Sequence, residues 1–276
     1  MKHFYLVSNI YKDEGFCLRD KAAAYLQERG AVCRIHEDGM KPGPETECII
    51  TLGGDGTLLR VVRRYSDMAI SFIGINTGTL GYLTEGDRNS LYTVLDALLE
   101  DQFIREKRMM IFGRILKNGR SVGRHRALND VVVRSKNPMK IVNLRVCVNG
   151  QFLKEYRCDG LIAATPTGST AYNFSAGGPI VEPTARLLVL TPVAAHSLNN
   201  RSIVFSPFDK ISVEILPPTR GNETEEEFQV YFDGEKPESL AVGDVVEITQ
   251  ASTTISILKL SDRSFVETLR SKMSDS

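Results

Sequence analysis

Apolar runs and amphipathic stretches alternate along the first hundred or so residues of this 276-residue chain. Short apolar runs predict strands at residues 3–8, 31–36, 48–52 and 70–75. Apolar positions that recur at helical spacing predict helices at 15–29, 57–65 and 90–100. Such alternation favours an α/β arrangement, in which helices cover a parallel sheet and ligands bind near the carboxyl ends of the strands.

A different pattern begins near residue 103, where short runs rich in valine, isoleucine and aromatic residues replace the alternation. Asn118-Gly119 and Asn149-Gly150 are dipeptides preferred in tight hairpin turns. The runs predict strands at 128–134, 141–148, 187–190, 203–206, 210–215, 229–232, 245–249 and 254–260. We therefore expect a Rossmann-like parallel-sheet domain at 1–102, a β-rich domain at 103–260, and a helical tail at 261–276 that packs back on the first domain.

The composition gives no indication of a nucleic-acid or membrane partner. Lysine and arginine together number 34, as do aspartate and glutamate, so no net charge attracts the chain to nucleic acid or to an anionic membrane. The start of the chain is too soon interrupted for a signal peptide, and no apolar run has membrane-spanning length. Five scattered cysteines and four histidines without zinc-site spacing predict reduced thiols and no zinc site. We expect a cytoplasmic enzyme that acts on small molecules.

The most informative segment follows the apolar run at 48–52. Gly53, Gly54 and Gly56 allow backbone N–H groups to approach phosphate oxygens at the start of a helix, and Thr57 adds a hydroxyl. Asp55 repels phosphate, so it needs another role, either accepting a proton from an attacking hydroxyl or holding a metal ion or water beside the phosphates. These roles indicate phosphoryl transfer. The alternative is a tight turn in which Asp55 only caps the helix.

A second loop follows the next predicted strand. Asn76 to Leu83 contains two glycines and two threonines and falls at the same edge of the predicted sheet as Asp55. We expect it to form a wall of the binding pocket. Alternatively, it is a loop whose hydroxyls satisfy only local backbone groups.

Two segments of the β-rich half carry polar side chains suited to a nucleotide. Asp159 to Ser175 places an aspartate before an apolar strand and a run of hydroxyl residues, glycine and Tyr172 after it. Carboxylates bind ribose hydroxyls, and a tyrosine ring offers a flat surface to a base. Asn129-Asp130 adds two side chains that can bind ribose hydroxyls or an adenine edge. A capped turn and a polar strand start are the alternatives.

These motifs together resemble the NAD kinase family. The resemblance covers Gly53–Thr57, Asn76–Leu83, Asn129-Asp130, residues 159–172, residues 177–181 and residues 191–204. It is most specific in the Thr-Pro-Thr-Gly-Ser-Thr-Ala-Tyr run at 165–172, since lipid kinases and 6-phosphofructokinases share the Gly-Gly-Asp-Gly element. It implies ATP-dependent phosphorylation of NAD on the adenosine 2′-hydroxyl, with Mg²⁺ bound together with ATP, usually in a homo-oligomer.

The resemblance also implies the roles of individual residues. Asp55 matches the catalytic residue. The loop residues Gly53, Gly54, Gly56, Thr57 and Asn76 match substrate-binding positions. The residues that match the NAD pocket are Arg60, Asn129, Asp130, Arg157, Asp159, Thr170, Ala171, Tyr172, Asn173, Ser175 and Ala194.

The chain departs from the family pattern at three places. It has Asp130 where glutamate is common, Cys158 where glycine is common, and Glu235 where glutamine is common. Two other functions stay open at this point: a lipid kinase that uses the same phosphate loop, and a non-catalytic NAD sensor. The hydroxyl-rich run at 165–175 disfavours an apolar acceptor, and the presence of Asp55 disfavours a sensor.

Overall fold

A computed structural model of the chain describes residues 1–78, 81–137, 140–195, 200–218, 228–260 and 264–274. By their internal contacts these residues form two compact units. Unit 1 is Met1–Arg108 with Thr254–Ser276, and unit 2 is Met109–Thr253. The sequence-based bounds 1–102, 103–260 and 261–276 stay a prediction about folding domains.

A parallel sheet with helices forms unit 1. Its strands are β1 (His3–Ser8), β2 (Val32–Ile35), β3 (Cys48–Gly53) and β4 (Ser71–Asn76), in the spatial order β2-β1-β3-β4. Its helices are α1 (Cys17–Glu28), α2 (Asp55–Tyr65), α3 (Leu91–Leu99) and α5 (Phe265–Ser274). The predicted alternation of strands and helices in this part of the chain is confirmed.

Buried elements flank the phosphate loop, residues 53–57, in unit 1. Every residue of β3 and β4 is buried, which explains their continuous apolar runs. Helix α2 buries Leu58, Val62 and Tyr65 on one face. Because Gly53 pairs with Asn76 at the carboxyl ends of β3 and β4, the two predicted loops begin side by side.

Unit 2 is built of antiparallel strands. They are β5 (Ile104–Lys117, from Met109), β6 (Arg120–Ala127), β7 (Asp130–Ser135), β8 (Val142–Val148), β9 (Gln151–Cys158), β10 (Gly160–Ala164), β11 (Leu188–Val193), β12 (Ile203–Phe205), β13 (Ile211–Leu216), β14 (Phe228–Phe232), β15 (Glu238–Leu240) and the first part of β16 (Val245–Lys259). One sheet has the order β12-β11-β10-β7-β14-β15, and β16-β13-β8-β9 are neighbours in the other. The short helix α4 (Tyr172–Ser175) follows a 3₁₀ turn at Thr167–Thr170.

The two Asn-Gly dipeptides form the predicted hairpin turns. Asn118 and Gly119 have φ values of 49° and 74°, and Asn149 and Gly150 have 52° and 81°. Positive φ at both central residues is the geometry that favours this dipeptide. The turns join β5 to β6 and β8 to β9.

The structure differs from the predicted strands in several places. Residues 245–249 and 254–259 belong to one continuous strand, β16, so the prediction of two strands was wrong. The polar run between them contains no glycine or proline, and threonine fits a strand well. Strands β5, β6 and β9 were expected only as arms of the hairpins, without bounds. Strand β15 was not predicted, because two of its three residues, Glu238 and Ser239, are polar and give no apolar run.

Some sequence features lie outside the described residues, among them Thr79, Leu80, His196 and the acidic run at 221–227. Within the described parts of the chain, no helix combines the length and apolar character needed to cross a bilayer.

Candidate functional site

The phosphate loop turns from β3 into α2 with little room for side chains. A Cβ on Gly53 would lie 2.4 Å from Oγ1 of Thr57, so only glycine fits that position. Gly54 precedes the first turn of α2, and the N–H of Thr57 donates to its carbonyl at 2.9 Å. The start of a helix, with its first N–H groups and the positive end of its dipole, suits the binding of an anion.

Asp55, the first residue of α2, binds the neighbouring loop through its carboxylate. Oδ2 accepts the N–H of Tyr82 at 2.8 Å, and Oδ1 accepts the N–H of Leu83 at 3.2 Å. Both of these hydrogen bonds come from residues outside α2. A Cβ on Gly81 would lie only 1.9 Å from Oδ1 of Asp55. The 76–83 loop therefore holds the Asp55 carboxylate in one position, and Gly81 leaves the space it occupies.

Sequence analysis missed Lys12, a cation that lies beside the phosphate loop. A Cβ on Gly54 would lie 3.1 Å from Nζ of Lys12, and one on Gly78 would lie 3.9 Å from it. Arg88 binds the carbonyls of Lys12 and of Thr77, which ties this segment to the second loop. The Thr77 hydroxyl is buried and has no partner within the described chain. No local motif around Lys12 indicates this role, because the contact is made only in the fold.

A cavity of about 500 Å³, here called the β1 cavity, opens in unit 1 beyond the end of β1. Thr57, Arg60 and Arg64 of α2 line it together with Asn9 and His36. Burial and the Arg64 guanidinium lower the pKa of His36, so its imidazole is neutral near pH 7. The predicted residue Arg60 thus belongs to a basic cavity in the same unit as the phosphate loop.

A cavity of about 380 Å³, here called the β7 cavity, opens in unit 2. It is lined by Asn129, Asp130, Val132, Arg134, Ala171, Tyr172, Tyr231, Asp233 and Gly234. Four of these are predicted site residues, from two segments that are distant in sequence. Arg134, Tyr231 and Asp233 were missed. Arg134 shares a face of β7 with Asp130 and Val132, so strand alternation gives a clue to it.

The β7 cavity contains an unsatisfied acceptor. Oδ1 of Asn129 is buried and has no hydrogen-bond partner within the described chain. The backbone beneath it is fixed, because the Asn129 carbonyl accepts the N–H of Thr165 at 2.8 Å and the Thr165 hydroxyl donates to Leu128 O. Gly168 packs against Asn129 so closely that a Cβ there would lie 2.1 Å from the Asn129 carbonyl oxygen. An unpaired buried acceptor points to a ligand that carries a donor, such as a hydroxyl.

Asp130 is buried beside Asn129. Burial, and then the negative charge of Asp233, raise the pKa of the Asp130 carboxyl to about 7. A carboxyl that titrates near neutrality inside a cavity is a property often found at functional sites.

The hydroxyl-rich segment forms one wall of this cavity and a structural framework behind it. Ala171 and Tyr172 line the cavity, and Tyr172 is 37% exposed. Asn173 is fully buried: its amide donates to the carbonyls of Ser169 and Pro179, and its oxygen accepts the Thr191 hydroxyl. In the structure Asn173 therefore serves to hold the turn that presents Tyr172.

The other predicted pocket residues are not among the residues that line the β7 cavity: Arg157, Asp159, Thr170, Asn173, Ser175 and Ala194. Arg157 is exposed on β9, and Asp159 follows it, with its N–H donating to Val193 O. Ala194 has a φ of 43°, unusual for alanine. Cys158 is fully buried, and burial raises the pKa of its thiol to about 12, so this thiol is inert.

Among the described residues, no group of three or more histidine, cysteine, aspartate or glutamate side chains is placed to hold a metal ion. Mg²⁺ is commonly bound through one or two carboxylates and the phosphates of a substrate. Asp55 at the phosphate loop fits that mode for an ion that enters together with a triphosphate.

Both halves of the chain match domains of known proteins. Residues 7–103 match the ATP-NAD kinase N-terminal domain, and residues 128–260 match the ATP-NAD kinase C-terminal domain. NAD kinases from Agathobacter rectalis and Lachnospira eligens are 42% and 40% identical, over 99% of this chain and 99% and 100% of theirs.

Solved structures show the same fold. The chain resembles an NAD kinase from Archaeoglobus fulgidus in complex with ATP, with a TM-score of 0.72, 26% identity and 92% of each chain covered. It resembles yeast NADH kinase complexed with NADH in fold, with a TM-score of 0.89, 22% identity, and 99% of this chain and 88% of that one covered. The fold agrees with these comparisons, since a parallel-sheet α/β unit is followed by a β-rich unit. Because both domain models match and the relatives match over their full length, the chain belongs to the NAD kinase family.

Proposed function

We propose that the chain transfers the γ-phosphoryl group of ATP to the 2′-hydroxyl of the adenosine ribose of NAD, giving NADP and ADP. The observation that carries this proposal is the Asp55 carboxylate, held by two backbone N–H groups at the start of α2, directly after a loop of glycines. A carboxylate in a phosphate cradle suits the activation of a hydroxyl and does not suit phosphate binding alone.

Asp55 has the hydrogen-bonding capacity for this step. Each of its oxygens accepts one N–H in the structure, and a carboxylate oxygen has two acceptor positions. One position per oxygen is left for the attacking hydroxyl. In the proposed reaction Asp55 accepts the hydroxyl proton as the oxygen attacks the γ-phosphorus and the bond to ADP breaks.

The elements of unit 1 suit the donor. Four groups of this unit offer positive charge or hydrogen-bond donors to phosphate oxygens. They are the phosphate loop, the start of α2, the Lys12 ammonium and the Thr77 hydroxyl, which has no partner among the described residues. Mg²⁺ bound with ATP would neutralise charge on the transferred group. The β1 cavity lies in the same unit and is the proposed place for the rest of the donor, which would assign Arg60 to ATP, whereas the family resemblance places Arg60 in the NAD pocket.

The β7 cavity of unit 2 suits the acceptor. Asn129 and Asp130 offer oxygens to ribose hydroxyls, and Tyr172 offers a ring to a base. The roles of Arg157, Asp159, Thr170, Asn173, Ser175 and Ala194 stay predictions from the family, as do a homo-oligomeric assembly and a cytoplasmic location.

Tyr172→Ala is expected to raise the KM for NAD by roughly fivefold to a hundredfold, because stacking of a base on an aromatic ring contributes about 1–3 kcal/mol. The kcat at saturating NAD is expected to change much less. Steady-state kinetics with NAD as the varied substrate measures the split. Phe174→Ala is the matched control, since Phe174 is also exposed on α4 but does not line the β7 cavity. A lower kcat with an unchanged KM would place Tyr172 away from the dinucleotide.

The proposed function is tested by incubating the purified chain with NAD, ATP and Mg²⁺ and detecting NADP with an NADP-specific dehydrogenase. Reactions without ATP and without NAD are the controls. NADP that appears only in the complete reaction supports the proposal. Binding of NAD without formation of NADP would contradict it and favour the sensor.

A further inference from the structure

Asp233, which follows β14, binds three consecutive backbone N–H groups with one carboxylate. Oδ2 accepts the N–H of Leu128 at 2.9 Å, and Oδ1 accepts those of Asn129 and Asp130 at 2.7 and 3.1 Å. In return, the Asp233 N–H donates to the Asp130 carbonyl at 3.0 Å. Residues 128–130, here called the 128–130 turn, are thus attached to Asp233 by four hydrogen bonds.

The backbone of Asp233 itself is in an uncommon conformation. Its φ is 51°, in the left-handed region, where aspartate and asparagine are tolerated better than most residues. The 128–130 turn is held from the opposite side by Thr165 and Gly168, as described above. Asn129 and Asp130 therefore have little freedom to move.

We propose that Asp233 is a positioning residue of the acceptor pocket, which fixes the 128–130 turn so that Asn129 and Asp130 present their side-chain oxygens to the ribose hydroxyls of NAD. The inference rests on the proposed function. It assigns Asp233 no contact with the reacting atoms. Its effect is transmitted through the backbone of the turn and through its negative charge beside Asp130.

The negative charge of Asp233 is expected to make NAD binding depend on pH, through its effect on Asp130. The titratable and charged groups that line the cavity together with Asp130 are Asp233 beyond β14, Arg134 on its own strand, Tyr231 on the paired strand β14, and Tyr172 of α4. The adjacent strand β10 has no ionisable side chain between Gly160 and Ala164. A ribose hydroxyl donates more strongly to an ionised carboxylate than to a neutral acid. NAD binding is therefore expected to favour ionised Asp130 and to release a proton.

The sign of the pH dependence follows. The pKa of Asp130 in the free protein is raised to about 7, so at pH 6 the carboxyl is mostly protonated and NAD must displace the proton. The affinity for NAD is expected to increase as the pH rises through about 7 and then to level off. Removing the charge of Asp233 removes the second cause of the raised pKa, and the midpoint moves to lower pH.

Asp233→Asn is the informative variant, because asparagine keeps the size of the side chain and tolerates positive φ but lacks the charge and one acceptor oxygen. The Kd for NAD, measured by titration calorimetry, is expected to rise about tenfold at pH 7.5, with kcat falling by a smaller factor. Asp244→Asn is the matched control. Like Asp233, Asp244 accepts a backbone N–H with its carboxylate at a turn of unit 2, but it does not line the β7 cavity.

The pH profile separates positioning from a purely structural role. Kd is measured between pH 5.5 and 8.5 for the parent protein, Asp233→Asn and Asp244→Asn. An acid-shifted midpoint in Asp233→Asn alone supports the inference. An unchanged Kd and midpoint in Asp233→Asn would overturn it. If Asp233→Asn does not fold, Asp233→Glu replaces it: this variant keeps the charge, so a weaker Kd with the parental midpoint supports the inference and an unchanged Kd overturns it.

The two proposals fail in different ways. A parent protein that neither binds NAD nor forms NADP would overturn the proposed function and this inference with it. A parent protein that forms NADP, together with an Asp233→Asn variant of unchanged affinity and pH profile, would overturn the inference alone.

Discussion

Asp55→Asn is expected to lower kcat by about 10²–10⁴-fold, the range typical of a group that transfers a proton in the transition state. Asparagine keeps the size of the side chain and one acceptor oxygen, so one of the hydrogen bonds from Tyr82 and Leu83 can persist. The substitution removes the charge and the basicity. The affinity for NAD is expected to change little, and calorimetry measures it beside the steady-state rate.

A control for this variant is available in the same unit. Asp87 also accepts backbone N–H groups with its carboxylate, from Asn89 and Ser90, but these bonds lie within its own turn. Asp87→Asn is expected to retain parental kcat. If Asp55→Asn also turned over like the parent protein, Asp55 would be a structural residue of the loop and the proposed mechanism would be wrong.

Gly81→Ala is expected to reduce kcat by about a hundredfold, although it adds a single methyl group. The new Cβ would lie 1.9 Å from Oδ1 of Asp55, so the carboxylate has to move by more than an ångström. A displacement of about 1 Å can cost around 10²-fold in rate when the reacting groups must be aligned. Kinetics and thermal unfolding measured together show whether the loss is catalytic.

Gly78→Ala is the matched control in the same loop. Among the described residues, the atoms nearest to a Cβ at that position are Nζ of Lys12 at 3.9 Å and Oδ1 of Asn76 at 4.0 Å. It is therefore expected to keep most of the activity. Equal losses in Gly78→Ala and Gly81→Ala would indicate that the loop tolerates no added side chain, and that the contact between Gly81 and Asp55 has no special importance.

The sequence was sufficient to predict those parts of the site whose residues are neighbours along the chain. Glycines and a carboxylate after an apolar run predicted the phosphate loop, and the neighbouring strand ends predicted that Asn76–Leu83 would lie beside it. The structure adds that this loop binds Asp55 directly through the N–H groups of Tyr82 and Leu83. Such a contact depends on backbone direction, which a residue pattern does not specify.

The residues that sequence reasoning missed contact parts of the site that are distant from them in sequence. Lys12 follows a different strand from the phosphate loop, and only the parallel pairing of β1 with β3 brings the two regions together. Asp233 is part of an Asp-Gly turn, and nothing in its neighbourhood indicates that it binds residues 128–130. Asn173, which was expected in the pocket, is buried by partners from β11 and the following turn.

The most direct test of the account uses NAD that lacks the adenosine 2′-hydroxyl. This analogue is incubated with the protein, ATP and Mg²⁺, and the products are examined by mass spectrometry beside a reaction with NAD. It is expected to bind with an affinity lower by up to about a hundredfold, because it leaves a buried polar group of the pocket unpaired, and to inhibit competitively with NAD. It is expected to gain no phosphate, whereas NAD gains one. A phosphorylated analogue would place the transfer at another hydroxyl and contradict the proposed reaction.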